Sequence, residues 1–574
     1  MTSPATAVRR AGIRVPVLRP DLVLVAVIVL LLAYLTLVPL GMLLLGSVST
    51  GGVLTFGDLT LRHFERALTD TNSIELLVTS FLFGIGASTF AFAIGTGMAW
   101  VVERSDVPHR NLWYGLALVP LIVPGIVHTI GWLFLLSPEI GWINAPLKAL
   151  FGFSLSAYSL PGMIWVEGLH SAPFAFVLMA AAFRTMDPSL EEAAATARAD
   201  PWKTFRRITL PLLLPASASV FLILFVRTLE SFEVPAILGV PGRIYVYTSR
   251  IYLSLNQYPP NFGLAAAYGT VLLVVSVVGL LVHRRVTRRS ERYATVTGKA
   301  YRPRRVELGR WRVVAVAILA LYATLAVILP LLVLGYASLL RVYTVPSLDN
   351  LRELTLRNYA FVLSDDLTRS AVLNSLMLGV ATATIVVGLT AVIAWITVRS
   401  RIPGRGLLDV MAFIPITIPG IVLGISLIWV YFTVPIRIYG TLWILLVAYV
   451  TRFLPYGMRS LTAGLGQIHR ELEEAASAAG ARWWPTFWRV TVPLLRPTLV
   501  AAWIYVFIVS LRELSSSILL YSSQSEVIAI RIFDLRDAGQ FTVIAALSMV
   551  LIVFLVVLVA TLQRIGGRTV RESA

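Results

Sequence analysis

The 574-residue chain contains no cysteine and few charged residues. The lack of cysteine excludes disulfides, thiolate metal sites, iron–sulfur clusters and a cysteine nucleophile. Charged side chains make up only 14% of the residues, whereas 57% are hydrophobic, and the mean hydropathy is +0.81. A soluble protein of this size needs far more charge to cover its surface. The composition therefore indicates a protein embedded in a lipid bilayer rather than a soluble helical bundle.

Motifs for nucleotide and enzyme chemistry are also missing. No Gly-x-x-x-x-Gly-Lys-Ser/Thr sequence occurs, so the chain has no loop of the kind that cradles ATP phosphates. The six histidines and the acidic residues are scattered, whereas a membrane glycosyl- or phosphotransferase needs them clustered at one face. We interpret His128 and His170 as packing or hydrogen-bonding residues. We expect no catalytic residue, no metal site and no cofactor bound by this chain.

The net charge of +18 reflects basic residues that flank apolar runs. Residues 1–20 contain four arginines, and residues 284–312 contain eleven lysines and arginines. This distribution is typical of charge-flanked membrane segments and differs from a basic groove interleaved with aromatic residues. The charge therefore predicts contact with a membrane, and nucleic-acid binding is not expected.

Twelve apolar runs are long enough to cross a bilayer, which takes about 20 helical residues. Lysine and arginine are concentrated in alternate connecting segments, which predicts that both termini are cytoplasmic. We therefore expect an N-terminal segment (1–20), two six-helix domains (21–283 and 312–563), a basic linker (284–311) and a tail (564–574). The predicted spans are 22–47, 76–102, 112–136, 157–183, 209–237, 262–283, 312–340, 371–397, 407–433, 441–463, 493–521 and 541–563.

The two halves are related by an internal repeat. A segment that begins at Glu191 recurs at Glu473, and upstream residues such as Arg104 and Pro124 recur as Arg399 and Pro419. The spacing between repeats is 282 residues for the first set and 295 for the second, so the first half has 13 extra residues, expected near 137–156. Each half starts and ends on the same side, which predicts parallel repeats with a translocation path between them.

The best-preserved repeat falls in the cytoplasmic loop between the fourth and fifth spans of each half. Acidic residues at a helix start, small residues, then tryptophan and arginine form a helix suited to a protein groove. An amphipathic helix lying on lipid is the alternative, which the duplication disfavours. The docking candidates are Glu191, Glu192, Ala193, Ala194, Pro201, Trp202, Glu473, Glu474, Ala475, Ala476, Gly480 and Trp484.

These residues resemble the EAA loop of binding-protein-dependent ABC importer permeases. The second loop has the glycine of that motif at Gly480, whereas the first has Arg198 at this position. The resemblance implies an all-α, type I (MetI-like) permease fold with twelve transmembrane helices in the bacterial inner membrane. It also implies two copies of an ABC ATPase that bind ATP and Mg²⁺, and an extracytoplasmic substrate-binding protein.

Charged residues inside the predicted spans are the candidates for a translocation path. Glu230, Glu233, Arg512 and Glu513 lie in the fifth spans, and Glu230 aligns with Arg512 in the repeat. A charge in the membrane is costly, so each needs a partner or a role. A path role and a structural ion pair between Glu230 and Arg512 both remain open at this stage.

The cargo is less well defined than the architecture. The fused halves and the sequences around Ser231 and Ser510 resemble ferric-iron importer permeases, in which carboxylates suit a hard cation. Importers of thiamine, phosphonate or polyamine have similar sequences. An ion-coupled secondary transporter is a further alternative, although it has no reason to duplicate an ATPase-docking loop.

Overall fold

The computed structural model describes residues 20–51, 57–69, 71–186, 189–290, 306–400, 402 and 404–572. Within these ranges the chain is helical, with two isolated β-bridges and no strand. The predicted N-terminal segment and most of the basic linker lie outside the described residues. The all-α prediction is confirmed.

Each half contains six long helical segments, which we number 1 to 6 in chain order. In both halves segment 3 consists of two helices. Segments 1 to 6 of the first half are Pro20–Ser47, Thr71–Arg104, Arg110–Leu118 with Gly125–Leu135, Leu160–Thr185, Leu210–Leu229 and Phe262–Ser290. Those of the second half are Trp311–Ser338, Asp366–Arg399, Arg405–Phe413 with Gly420–Thr433, Leu442–Gly466, Val492–Leu511 and Phe541–Glu572.

Fewer membrane-spanning helices than segments are found among the described residues. Among the described residues, nine helices are long and apolar enough to cross a bilayer, and two bent pairs bring the number to as many as eleven. Leu442–Gly466, at the expected tenth span, is outside this set and carries Arg452 and Arg459. The prediction of a multi-pass membrane protein is confirmed, whereas the count of twelve stays a prediction.

Segment 3 is broken in both halves, although the sequence analysis predicted continuous spans at 112–136 and 407–433. The axis turns by 96° between Leu121 and Gly125, and by 108° between Thr417 and Gly420. A proline precedes each glycine, and its missing N–H and fixed φ stop the incoming helix. The glycine then begins a new helix, so each break exposes two helix ends.

Segment 5 also ends earlier than predicted. The helices stop at Leu229 and Leu511, and Glu230 and Arg512 form their C-terminal caps. The following residues form Pro235–Gly239 and Ser517–Leu519, and then the largely buried helices Tyr247–Asn256 and Ile528–Asp537. These two ten-residue helices occupy segments that the sequence analysis treated as external loops.

Segment 1 of each half packs against segment 3 of the opposite half. Gly46 of the first half packs against the Trp429 ring in segment 3 of the second half. Pro330 of the second half packs in turn against Gly131 in segment 3 of the first half. Small residues allow this close approach of helices. Each broken segment is therefore held by an element of the opposite half.

The extra length of the first half forms a helix of its own. Asn144–Phe151 lies between segments 3 and 4 of the first half, where the second half has only a short connection. The side-chain amide of Asn144 donates to the carbonyls of Leu136 and Leu155 at 2.9 and 2.7 Å, which fixes this helix to the loop around it. Its position agrees with the 13-residue insertion expected near 137–156.

Candidate functional site: the loop helices and the intramembrane charges

The two repeated loops fold alike. Each begins with an eight-residue helix, Ser189–Thr196 or Glu471–Ala478, which we call the loop helix. Glutamates occupy the first turn of both, where carboxylates stabilise the positive end of the helix dipole. A π-helical turn, Phe205–Thr209 or Phe487–Thr491, then leads into segment 5.

Both loop helices end in the same backbone conformation. Gly480 has φ +84°, and Arg198, at the matching position, has φ +52°. The N–H of Ala481 donates to Ala476 at 3.0 Å, and the N–H of Ala199 donates to Ala194 at 2.9 Å. These bonds are the closing bonds of a left-handed helix cap. The arginine therefore adopts the geometry that the glycine of the motif provides.

The first residue of the Glu-Glu pair in each loop helix contacts other helices of this chain. Glu191 forms an ion pair with Arg104, at the end of segment 2, whose side chain is only 3% exposed. The hydroxyl of Thr209 donates to the other carboxylate oxygen of Glu191 at 2.6 Å. We call this set of three residues the first clasp. It joins the loop helix to segments 2 and 5.

The second half contains an equivalent clasp. Glu473 lies 3.5 Å from the Nε of Arg399, and the hydroxyl of Thr491 donates to it at 2.8 Å. Arg399 also donates to the carbonyls of Leu465 and Ile468, at 2.9 and 2.6 Å. The sequence analysis recognised these positions only as repeats. Their common offsets, 282 for the acids and threonines and 295 for the arginines, are the signal that could have identified them.

The remaining docking candidates present a different surface. Glu474, Ala475, Gly480 and Trp484 are exposed, and Ala476 is half-buried. Trp484 belongs to an aromatic cluster that includes Trp488, and the two rings are 45% and 51% exposed. In the first loop Ala193 is exposed, and Glu192 and Ala194 are half-buried; the side chains of Pro201 and Trp202 lie outside the described residues. The second loop thus has an exposed face with acidic and aromatic side chains.

The charged residues after segment 5 lie at the breaks in segment 3. Glu513 forms an ion pair with Arg452 of segment 4 at 2.9 Å and accepts from the N–H of Ser516 at 2.9 Å. Arg512 donates to the carbonyl of Leu121 in the first half. Within the described chain no ion pair joins Glu230 to Arg512, so the pairing suggested by their alignment does not form.

Glu233 and Glu230 complete this charged region. The carboxylate of Glu233 lies directly against Gly125, so no side chain fits there. Arg452 and Arg227 are the basic residues whose charges act most strongly on Glu230. Three of the four path candidates, Glu233, Arg512 and Glu513, therefore lie at the two breaks, and Glu230 is influenced by the charge of Arg452 beside the second break.

A buried acid that is not among the four path candidates lies beside this region. Glu167 of segment 4 is 5% exposed and accepts from the hydroxyls of Ser231 and Ser171, at 2.7 and 3.1 Å. The rings of His128 and His170 have centroids 5.2 Å apart and are tilted by 38°. Within the described residues, no group of three or more His, Asp or Glu side chains is arranged to hold a metal ion.

Comparison with known proteins identifies the family. The model of the family "Binding-protein-dependent transport system inner membrane component" matches residues 72–292 and 384–567. The ferric transport system permease protein FbpB of Actinobacillus pleuropneumoniae is 29% identical over 82% of this chain and 69% of its own length. The putative ferric transport system permease protein FbpB 1 of Haemophilus influenzae is 29% identical over 80% of this chain and 72% of its own.

A second group of relatives matches a shorter stretch. The putative 2-aminoethylphosphonate transport system permease protein PhnV of Salmonella paratyphi A is 30% identical over 28% of this chain and 61% of its own length. The family model matches both halves separately, in agreement with the internal repeat. This chain is a member of the family of binding-protein-dependent ABC transporter permeases, with two permease repeats in one polypeptide.

Proposed function

We propose that this permease imports ferric iron across the bacterial inner membrane. The observation that carries this proposal is the extent of the similarity. Relatives named as ferric transport permeases match about four-fifths of the chain, including both halves. Import of 2-aminoethylphosphonate is the second candidate, supported by relatives that match 28% of the chain.

We further propose that two copies of an ABC ATPase bind the cytoplasmic loops, one at each loop helix, and that both termini are cytoplasmic. The duplicated fold of the loops and the exposed face of the second one support this arrangement. The sequence contains no phosphate-binding loop, so ATP and Mg²⁺ belong to the ATPase. The cargo arrives on an extracytoplasmic binding protein.

In this proposal the path runs between the halves, past the breaks in segment 3. Glu230, Glu233, Arg512 and Glu513 come together there from both halves. Carboxylate oxygens suit a hard cation such as Fe³⁺, which they contact in passing. The arginines limit the net negative charge of the region, so the cation is not held permanently.

Uptake measurements test the cargo. Cells that lack their own iron importers should accumulate radioactive iron when they express this chain with the ATPase and binding protein from neighbouring genes. Labelled 2-aminoethylphosphonate, supplied to the same cells, is the comparison. Uptake of the phosphonate without iron uptake would reject the ferric proposal in favour of the second candidate.

A charge reversal tests ATPase docking. Glu474 is exposed, so Glu474→Lys should leave the fold intact while it places a positive charge on the docking face. We expect co-purification of the ATPase to fall about tenfold or more, the effect of losing one charge-assisted contact. Glu353→Lys, an exposed site far from the loops in the sequence, makes the same change in net charge and serves as the control. Equal ATPase recovery in both variants would contradict docking at this helix.

A further inference from the structure

The two breaks in segment 3 differ in the charges that cover them. A broken helix exposes carbonyls at the end of the incoming part and N–H groups at the start of the outgoing part. Cations are stabilised near the carbonyl end and anions near the N–H end. In the first half both ends meet a charge of the favourable sign. Arg512 donates to the carbonyl of Leu121, and the carboxylate of Glu233 lies against Gly125.

These two charges also act on each other across the break. Among charged groups, Glu233 has the strongest electrostatic effect on Arg512, and Arg512 has the strongest on Glu233. Glu233 belongs to the first half and Arg512 to the second. The break in the first half is therefore closed by a residue from the opposite half.

The break in the second half is covered from within that half. Arg452 of segment 4 lies against Gly420, the first residue of the outgoing helix, where a positive charge is unfavourable. Its ion pair with Glu513, at 2.9 Å, compensates for this position. Arg512 and Glu513 are adjacent, so the end of one segment 5 touches both breaks.

The contacts of Arg512 are incomplete. Its Nε is buried and has no hydrogen-bond partner within the described parts of the chain. A buried donor without a partner is costly, which lowers the free energy needed to move the guanidinium away. The residue is thus held by one carbonyl of the other half and attracted by the charge of Glu233, but less firmly than a fully paired arginine.

We propose that Arg512 is a latch that holds the broken segment of the first half against the second half and keeps the path closed there. The proposal rests on the proposed function in one respect, namely that the path runs between the halves. Opening of the path requires that Arg512 release the Leu121 carbonyl and move away from the charge of Glu233. Glu233 then becomes available to a passing cation. Arg512 acts as a positioning residue, because its contacts are to the protein.

Thiol labelling can measure this closure without any cargo. The chain has no cysteine, so Ile122→Cys, next to Leu121, introduces a single reporter thiol. The permease–ATPase complex in lipid nanodiscs is labelled with a membrane-impermeant maleimide. Adding Arg512→Gln should raise the labelling rate about tenfold, the effect of losing a charge-assisted hydrogen bond. Arg459→Gln, which removes an exposed arginine from segment 4 of the second half, should leave the rate unchanged.

Glu233→Gln provides a second variant in case Arg512→Gln does not fold. It should also raise the labelling rate, and the double variant should exceed the larger single effect by little, because both changes remove the same electrostatic attraction between Arg512 and Glu233. Labelling of a folded Arg512→Gln protein at the parent rate would overturn the latch, as would an unchanged rate in Glu233→Gln if only that variant folds. Since no cargo is present, a wrong assignment of iron would leave these rates unaffected, and ATPase co-purification reports docking separately.

Discussion

The two halves share one architecture but stabilise it differently. In the first clasp Glu191 is the ionic partner of Arg104; one buried nitrogen of each clasp arginine, Nη1 of Arg104 and Nε of Arg399, has no hydrogen-bond partner among the described residues. In the second clasp Arg399 also donates to two backbone carbonyls and lies farther from its glutamate, at 3.5 Å. The same positions thus form a tight ion pair in one half and a distributed network in the other. A repeat in sequence therefore predicts the location of a contact better than its strength.

The loops of the two halves also differ in the residues that adopt positive φ. At two positions where the second half has a glycine with positive φ, Gly404 and Gly480, the first half has His109 and Arg198 with φ of 55° and 52°. The backbone conformation is retained although side chains disfavour it. The first half therefore has backbone strain at these two positions that the second half lacks.

Neutralising the acid of each clasp should give the largest difference in stability between the two halves. Glu191→Gln leaves Arg104 buried without an ionic partner, and we expect it to reduce the free energy of unfolding by about 3 kcal/mol. Glu473→Gln should cost about 1 kcal/mol, because Arg399 retains its two carbonyl contacts. Thermal unfolding midpoints of the two variants, compared with that of the parent, measure the difference. Equal losses would mean that the clasps are energetically equivalent.

Substitutions at the two matching positions with positive φ, Gly480 and Arg198, should change stability by a smaller amount. The change should have opposite sign in the two halves. Gly480→Ala forces a side chain into positive φ and should cost about 1 kcal/mol. Arg198→Gly relieves that strain but adds freedom to the unfolded chain, so we expect a gain of less than about 1 kcal/mol. Gly466→Ala is the matched control, because no atom limits the space there and its φ is not positive. A loss of stability in Arg198→Gly would show that the arginine side chain contributes more than its backbone strain costs.

The sequence predicted the helical fold, the repeat, the insertion and the family, because hydropathy and spacing are local properties. It did not predict the clasps, since the pairing of Arg104 with Glu191 depends on how segment 2 meets the loop helix. The break at Gly125 was missed for a related reason: proline is tolerated in membrane helices, so its presence alone does not specify a bend of 96°. Alignment of Glu230 with Arg512 gave the wrong pair, because residues at equal depth in two halves need not face each other.

The smallest expected effect on stability comes from an acidic residue outside the membrane spans. The second half contains this acid, and the first half has no acid at the matching position. Glu526, between segments 5 and 6, directly precedes the N-cap Val527, where the first half has Tyr245 before its N-cap, and lies 3.8 Å from Arg531. Burial raises the pKa of Glu526 to about 7, although the Arg531 charge opposes this. The folded protein therefore binds this proton more tightly than the unfolded chain does. Its stability should fall as the pH rises from about 4.5 to about 7 and then level off.

Glu526→Gln removes this titration while it keeps the size of the side chain. At pH 8 the variant should be more stable than the parent by about 0.5–1 kcal/mol, since partial solvent screening reduces the full effect. At pH 5 the parent carboxyl is protonated, so the difference should disappear. Unfolding midpoints of parent and variant at the two pH values provide the test, with Glu353→Gln as an exposed control. A variant less stable than the parent at pH 8 would mean that the ion pair with Arg531 outweighs the cost of burial, and that this acid strengthens the second half.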